Sequence, residues 1–196
     1  MCALAAELRG YEKPEHVEVL TCGVGPVEAA AETARLLTLG RFSAVVNAGI
    51  GGAFRGRAKL GDAIIVNEER LADFGLEGGA PMSLPDGAHL EERVAASPEL
   101  LARCEGLPYS VGSGLTVTRV TTTDATAARL ARTYGAYVES MEGFAVLRAA
   151  SLAGIPALEV RGISNYVGDR EQAQWDFRAG SGAVVAALEA IVPRLA

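Results

Sequence analysis

Ser43-Ala44-Val45-Val46-Asn47-Ala48 runs directly into Gly49-Ile50-Gly51-Gly52. The first six residues are apolar on both alternating faces, as in a central strand covered by helices on either side. The glycines that follow mark either a structural turn or a place where backbone comes close to a ligand. Such a strand needs helical layers above and below it, and the flanking sequence supplies them.

Upstream, Val17 to Cys22 is rich in β-formers and stops at Gly23-Val24-Gly25-Pro26, after which an Ala-rich amphipathic pattern continues to Leu39. That predicts strand, tight turn, helix. Downstream, Asp62-Ala63-Ile64-Ile65-Val66 is a second buried strand, and Leu71 to Pro98 is expected to form loops and short pieces. Gly112 to Thr118 is predicted as a strand, and Asp124 is expected to cap a helix ending at Tyr134. Tyr137-Val138-Glu139 is short and extended, and Met141 to Ala153 is a helix closed by Gly154-Ile155-Pro156. Ala157 to Ile163 forms the last strand, and a final helix covers Gly180 to Leu195. The alternation predicts one α/β domain, residues 1–196, a sandwich around a mostly parallel or mixed sheet.

With 49% hydrophobic and 21% charged residues the chain can bury a large core. A net charge of −6 without a basic cluster argues against nucleic acid and anionic membrane as partners. The apolar stretches fall well short of the ~20 residues a membrane span needs. The N-terminus lacks a basic segment and reaches Glu7 early, so no signal peptide is expected and the cytoplasm is the expected compartment. Three widely spaced cysteines suit reduced core thiols, and two histidines make a His-based metal centre improbable.

Candidate functional residues cluster at the ends of these elements. In Gly23-Val24-Gly25-Pro26-Val27-Glu28, Glu28 replaces the third glycine of a dinucleotide fingerprint, which leaves a tight turn whose amides face a ligand cleft. Glu142, in Val138-Glu139-Ser140-Met141-Glu142-Gly143, either favours the first helical turn electrostatically or accepts from two sugar hydroxyls. Arg161 lies on an apolar strand and requires a partner, with Glu139 or Glu159 as structural choices. Asn165 is a turn residue or a ligand contact beyond the end of that strand.

Taken in order and spacing, Gly-Val-Gly-Pro, Val-Val-Asn-Ala-Gly-Ile-Gly-Gly, Leu-Gly-Asp-Ala-Ile-Ile-Val, Val-Glu-Ser-Met-Glu-Gly and Val-Arg-Gly-Ile-Ser-Asn resemble the purine nucleoside phosphorylase and nucleosidase superfamily. Ala72 to Glu77 and Arg161 to Arg170 are most similar to its futalosine hydrolases. The resemblance implies a three-layer α/β/α sandwich around a mixed, mostly parallel sheet, and an N-glycosidase that needs no metal or organic cofactor. Its substrates would be a purine nucleoside and water, and its assembly a homodimer or larger homo-oligomer. Met141 and Glu142 match the pair under the sugar, Glu7 the carboxylate that activates water, Arg161 the arginine beside that water, and Asn165 the residue at purine N7. Ile50, Gly51 and Thr122 are the further substrate contacts it implies.

Departures from the family pattern carry information. Asn47 stands where hexameric phosphorylases have a phosphate-gripping arginine, and Ile50 where they have a serine, so water is the expected nucleophile. Asn165 replaces an aspartate; an amide cannot release a proton but can donate to N7 or O6, which favours a 6-oxopurine. Thr118 to Thr123 lacks an aromatic ring for the base, Trp175 and Phe177 are candidates for a lid or for packing, and Arg119 or Arg170 for binding a carboxylate at the 5′ end. Only Met1 to Leu4 precede the Glu7 region: either the sheet edge is trimmed or the start lies upstream. A methylthioadenosine or aminodeoxyfutalosine nucleosidase, a phosphorylase, or a silent nucleoside-binding protein are the alternatives.

Overall fold

A computed structural model describes residues 1–76, 84–168 and 175–195. Its elements in chain order are α1 (Pro26–Leu39), β1 (Val45–Ala53), β2 (Ala63–Leu71), β3 (Arg93–Ala95), α2 (Pro98–Arg103), β4 (Ser110–Thr116), α3 (Asp124–Tyr134), β5 (Val138–Ser140), α4 (Gly143–Leu152), β6 (Ala157–Tyr166) and α5 (Phe177–Leu195), with a 3₁₀ turn at Ala5–Leu8. The sheet runs β3-β2-β4-β5-β1-β6, and β2 also pairs with β6. Five strands therefore close into a ring, with β3 outside it. Ala53, Ile64, Val66, Val138 and Ile163, drawn from β1, β2, β5 and β6, form a small separate apolar cluster. The large core joins β1 and β6 to α1, α4 and α5, while Leu115 and Phe54 pack with Leu130 of α3.

The sheet is mixed, as expected, with helices flanking it. Its strand pairings divide evenly: β1–β6, β2–β4 and β4–β5 are parallel, and β1–β5, β2–β3 and β2–β6 antiparallel. Within the ring β2 and β5 each have one parallel and one antiparallel neighbour, and β3 outside it adds the third antiparallel pairing.

Several local expectations are corrected. Val17 to Cys22 is not a strand; Thr21 makes an isolated bridge to Cys2. Its neighbour is the segment Met1–Ala3, itself held on β1 by the Met1 amine donating to Val46 O at 2.7 Å. Gly49 to Gly52 is not a turn, because β1 continues through it, paired with β6 on one side and β5 on the other. Thr123, not Asp124, caps α3: its hydroxyl accepts from Thr126 N at 3.2 Å. The last helix begins at Phe177, and Leu71 to Pro98 contains the end of β2 and all of β3. The three cysteines are buried and free, and burial pushes the Cys22 thiol up to about 11. No helix among the described residues is long and apolar enough to cross a membrane.

Candidate active site

The glycines of β1 leave bare backbone on which charged side chains lie. Gly49 pairs with Arg161 across β1 and β6, and a Cβ added to it would stand 2.7 Å from Arg161 Nη1 and 2.9 Å from Glu7 Oε1. Gly52 pairs with Glu139 on one side and Asn165 on the other. Glycine here provides room, so one strand end can carry functional groups from both neighbours.

Glu142 is the N-cap residue of α4, yet its side chain makes no capping bond. Its Oε1 accepts from Gly25 N at 3.0 Å, in the tight turn before α1, and its Oε2 is 3.6 Å from Arg161 Nη1. The carboxylate is thus tethered on one side and faces a cleft on the other, which disposes of helix capping as its reason for being there. Arg161 is 1% exposed; its Nε donates to Glu159 at 2.7 Å and its Nη1 to Ile50 O at 3.4 Å. Burial depresses the Arg161 pKa, but Glu159, Glu142 and Glu7 together more than reverse this and raise it. Of the two acids open to it, Arg161 takes Glu159, two residues away and on the same strand face. Breaking so buried a pair would cost about 3–5 kcal/mol.

Glu7 is half-buried in the 3₁₀ turn; its Oε1 accepts from Ile50 N at 3.1 Å and its Oε2 from Leu4 N at 2.9 Å. Asn165 is oriented by Ser164, whose hydroxyl donates to its Oδ1 at 2.9 Å, while Nδ2 donates to Tyr166 O at 3.1 Å and keeps a second N–H. Glu7, Glu142, Met141, Ile50 and Asn165 all line one cleft of about 980 Å³. That is enough for a nucleoside with a large substituent. Among the described residues no group of three or more His, Cys, Asp or Glu side chains is placed to hold a metal ion.

Residues 8–196 match the family model of the phosphorylase superfamily. The chain belongs to the phosphorylase superfamily. Within this superfamily it is 38% identical to a futalosine hydrolase of Streptomyces coelicolor, over 95% of this chain and 81% of that one. It is 35% identical to a futalosine hydrolase of Thermus thermophilus, over 88% and 80% of the two chains. A 5′-methylthioadenosine/S-adenosylhomocysteine nucleosidase of Helicobacter pylori superposes with a TM-score of 0.82 at 15% identity, covering 98% of this chain and 95% of that one. A futalosine hydrolase structure from the same organism gives 0.80 at 17% identity, covering 98% and 95%. These two likenesses establish the nucleoside phosphorylase fold. Glu7 precedes the first matched residue, so geometry alone brings it to the cleft.

The superfamily cleft also departs from the sequence-based expectations. Thr122 is exposed and off the lining; Thr121 turns inward, its N–H and hydroxyl donating to Glu139, and Val120 lines the cleft instead. Arg161 is not on the lining but beneath it. Asn47 is fully buried and also off the lining. Arg119 is exposed and off the lining, and Arg170 is outside the described residues. The cations lining the cleft are Arg9 and Arg178, neither with an ion pair among the described residues. Arg9 follows Glu7 by two residues in the same turn, and Arg178 was hidden by starting the last helix too late. Trp175 and Phe177 stack with ring centroids 5.3 Å apart and line the cleft. Glu139 was passed over as a pairing acid; it is 6% exposed on the lining, and burial raises its pKa against the opposing bonds from Thr121.

Proposed function

We propose that the protein hydrolyses the N-glycosidic bond of futalosine, releasing hypoxanthine, in the alternative menaquinone pathway of the cytoplasm. The observation that carries this is the convergence of Glu7, Glu142 and Asn165 on one cleft, in a chain 35–39% identical to three futalosine hydrolases. Glu142 accepts from the ribose hydroxyls and Glu7 orients the water and takes its proton. Water oxygen bonds to C1′ as the C1′–N9 bond breaks, with the electron pair leaving on the purine in a loose, oxocarbenium-like transition state. Asn165 Nδ2–H stabilises that charge at N7 or O6, and the base then takes a proton from solvent.

Purified protein given futalosine in phosphate-free buffer is expected to release free hypoxanthine, with inosine and methylthioadenosine as parallel substrates. Cleavage of methylthioadenosine with futalosine intact would transfer the reading to the other nucleosidase class. A requirement for phosphate would make the protein a phosphorylase with Arg9 and Arg178 as its anion grip.

A futalosine-type substrate ends in an aryl carboxylate, and Arg9 and Arg178 are the lining cations available to it. Arg178→Ala is expected to lower kcat/KM for futalosine by roughly 3–10-fold through KM, the range of a charge-assisted contact near solvent, and to leave inosine cleavage unchanged. Equal losses on both nucleosides would remove Arg178 from this role. Leu4, Val24 and Phe177 line the cleft while 54%, 52% and 57% exposed, an apolar rim that suits cover by a second copy in a homodimer or larger assembly.

A further inference from the structure

Glu69, on β2, is fully buried and takes no part in the steps above. Its Oε2 accepts from Thr116 Oγ1 at 2.8 Å, and that hydroxyl is held in turn by the Phe144 backbone N–H at 2.7 Å. Its Oε1 has no hydrogen-bond partner among the described residues, and the same is true of Glu159 Oε2. The two carboxyl groups share one recess, made by missing side chains. A Cβ on Gly114 would collide with Glu69 Oε1, and one on Gly143 with Glu69 Oε1 and Glu159 Oε1 together.

Two fully buried carboxyl groups that share one recess do not both ionise when one cation serves them. That cation is Arg161, and its Nε is committed to Glu159. Arg161 already answers Glu142 and Glu7 as well, so a fourth negative charge would share a cation that serves three carboxylates. The groups facing Glu69 are Thr116 from β4 and Glu159 and Arg161 from β6, with Glu142 and Glu7 beyond the guanidinium. Burial first, and then the charge on Glu159, push the Glu69 pKa well up.

We propose that Glu69 is a positioning residue for the hydrolysis described above: as the neutral acid it donates a hydrogen bond to Glu159, which clamps Arg161 beneath Glu142 and Glu7. A proton on Glu69 gives its unpartnered oxygen a donor's role and leaves Glu159 its full charge for Arg161. Glutamine preserves that arrangement, since its amide donates where the acid O–H did and carries no charge. An apolar side chain of similar size leaves Glu159 without that donor and frees Arg161 to shift.

Kinetics are measured on whichever nucleoside the wild type cleaves, so a wrong substrate assignment leaves this test intact. Glu69→Gln is expected to stay within about threefold of wild-type kcat, and Glu69→Met to lose roughly tenfold or more in kcat, the scale of a lost bond to a charged group. Stability supplies a second readout. An ordinary glutamate titrates near pH 4.3, so above that the unfolded chain releases the Glu69 proton while the folded chain keeps it. That contribution is present below the unfolded pKa and is lost as pH rises toward the folded one. The melting temperature of Glu69→Gln relative to wild type is therefore expected to climb as pH rises above the ordinary glutamate range. A difference that stays flat with pH, or a Glu69→Gln variant that fails to fold or is as slow as Glu69→Met, overturns the proposal. If Glu69→Met does not fold, the glutamine variant and its pH series still decide.

Discussion

Replacing Glu142 by alanine is expected to lower kcat/KM by at least about 100-fold, the loss typical of removing one electrostatic contact at the reacting centre. The carboxylate has two fixed neighbours, Gly25 N at 3.0 Å and Arg161 Nη1 at 3.6 Å, and its remaining lone pairs face the cleft. Held in this way it needs little reorganisation to accept from two vicinal hydroxyls, and in the proposed reaction it would face the positive charge that grows on the sugar. Both consequences strengthen toward the transition state, so kcat should carry most of the loss. A capping carboxylate would behave differently: its removal would cost about 0.3–1 kcal/mol of stability and leave turnover intact. Because Glu159 still holds Arg161 in the variant, the protein is expected to fold, and a melting curve beside the kinetics separates the two outcomes. Wild-type turnover in Glu142→Ala would end the assignment.

Part of this candidate site is legible in the sequence because its residues violate local rules. Arg161 stands in an otherwise apolar strand and Glu142 at the head of an apolar helix, and each violation needs a partner that function or folding supplies. The period-2 rule even contains the answer for Arg161, since Glu159 shares its face while Glu139 belongs to another strand. What stayed hidden depends on contacts between distant segments. Nothing local tells a four-residue glycine-rich run that it is a strand. Gly49 and Gly52 are extended because β5 and β6 pair with them and because Glu7, Arg161 and Asn165 occupy the space their side chains would fill. Ring closure is equally non-local, since it depends on β1 meeting β5 and β2 meeting β6 across long sequence separations. Val17 to Cys22 shows the reverse: its β propensity is real, but propensity alone does not make a ladder, and only one bridge forms among the described residues. Thr122 failed for a one-residue reason, because Thr121 is drawn inward by Glu139 and turns its neighbour to solvent.

Glu7→Gln is expected to reduce kcat by about 10²–10⁴-fold with a small change in KM, the usual contribution of a positioned general base. The geometry makes this substitution informative. In the wild type each carboxylate oxygen already accepts one backbone N–H, Ile50 at 3.1 Å and Leu4 at 2.9 Å, and both keep a lone pair for the water. Glutamine keeps one acceptor oxygen and presents an amide to the other N–H, so one of those two bonds is lost along with the capacity to take a proton. The structural part of that change is one partly exposed hydrogen bond, about 0.5–1.5 kcal/mol, which a melting curve will show as a few degrees. The chemical part leaves sugar and base contacts untouched, because Glu142 and Asn165 come from other segments. A variant that binds nucleoside normally, melts within a few degrees of wild type and turns over slowly identifies Glu7 as the base. If kcat survives, the water is activated elsewhere, and Glu139, the other acid on the lining whose pKa burial raises, becomes the group to replace next.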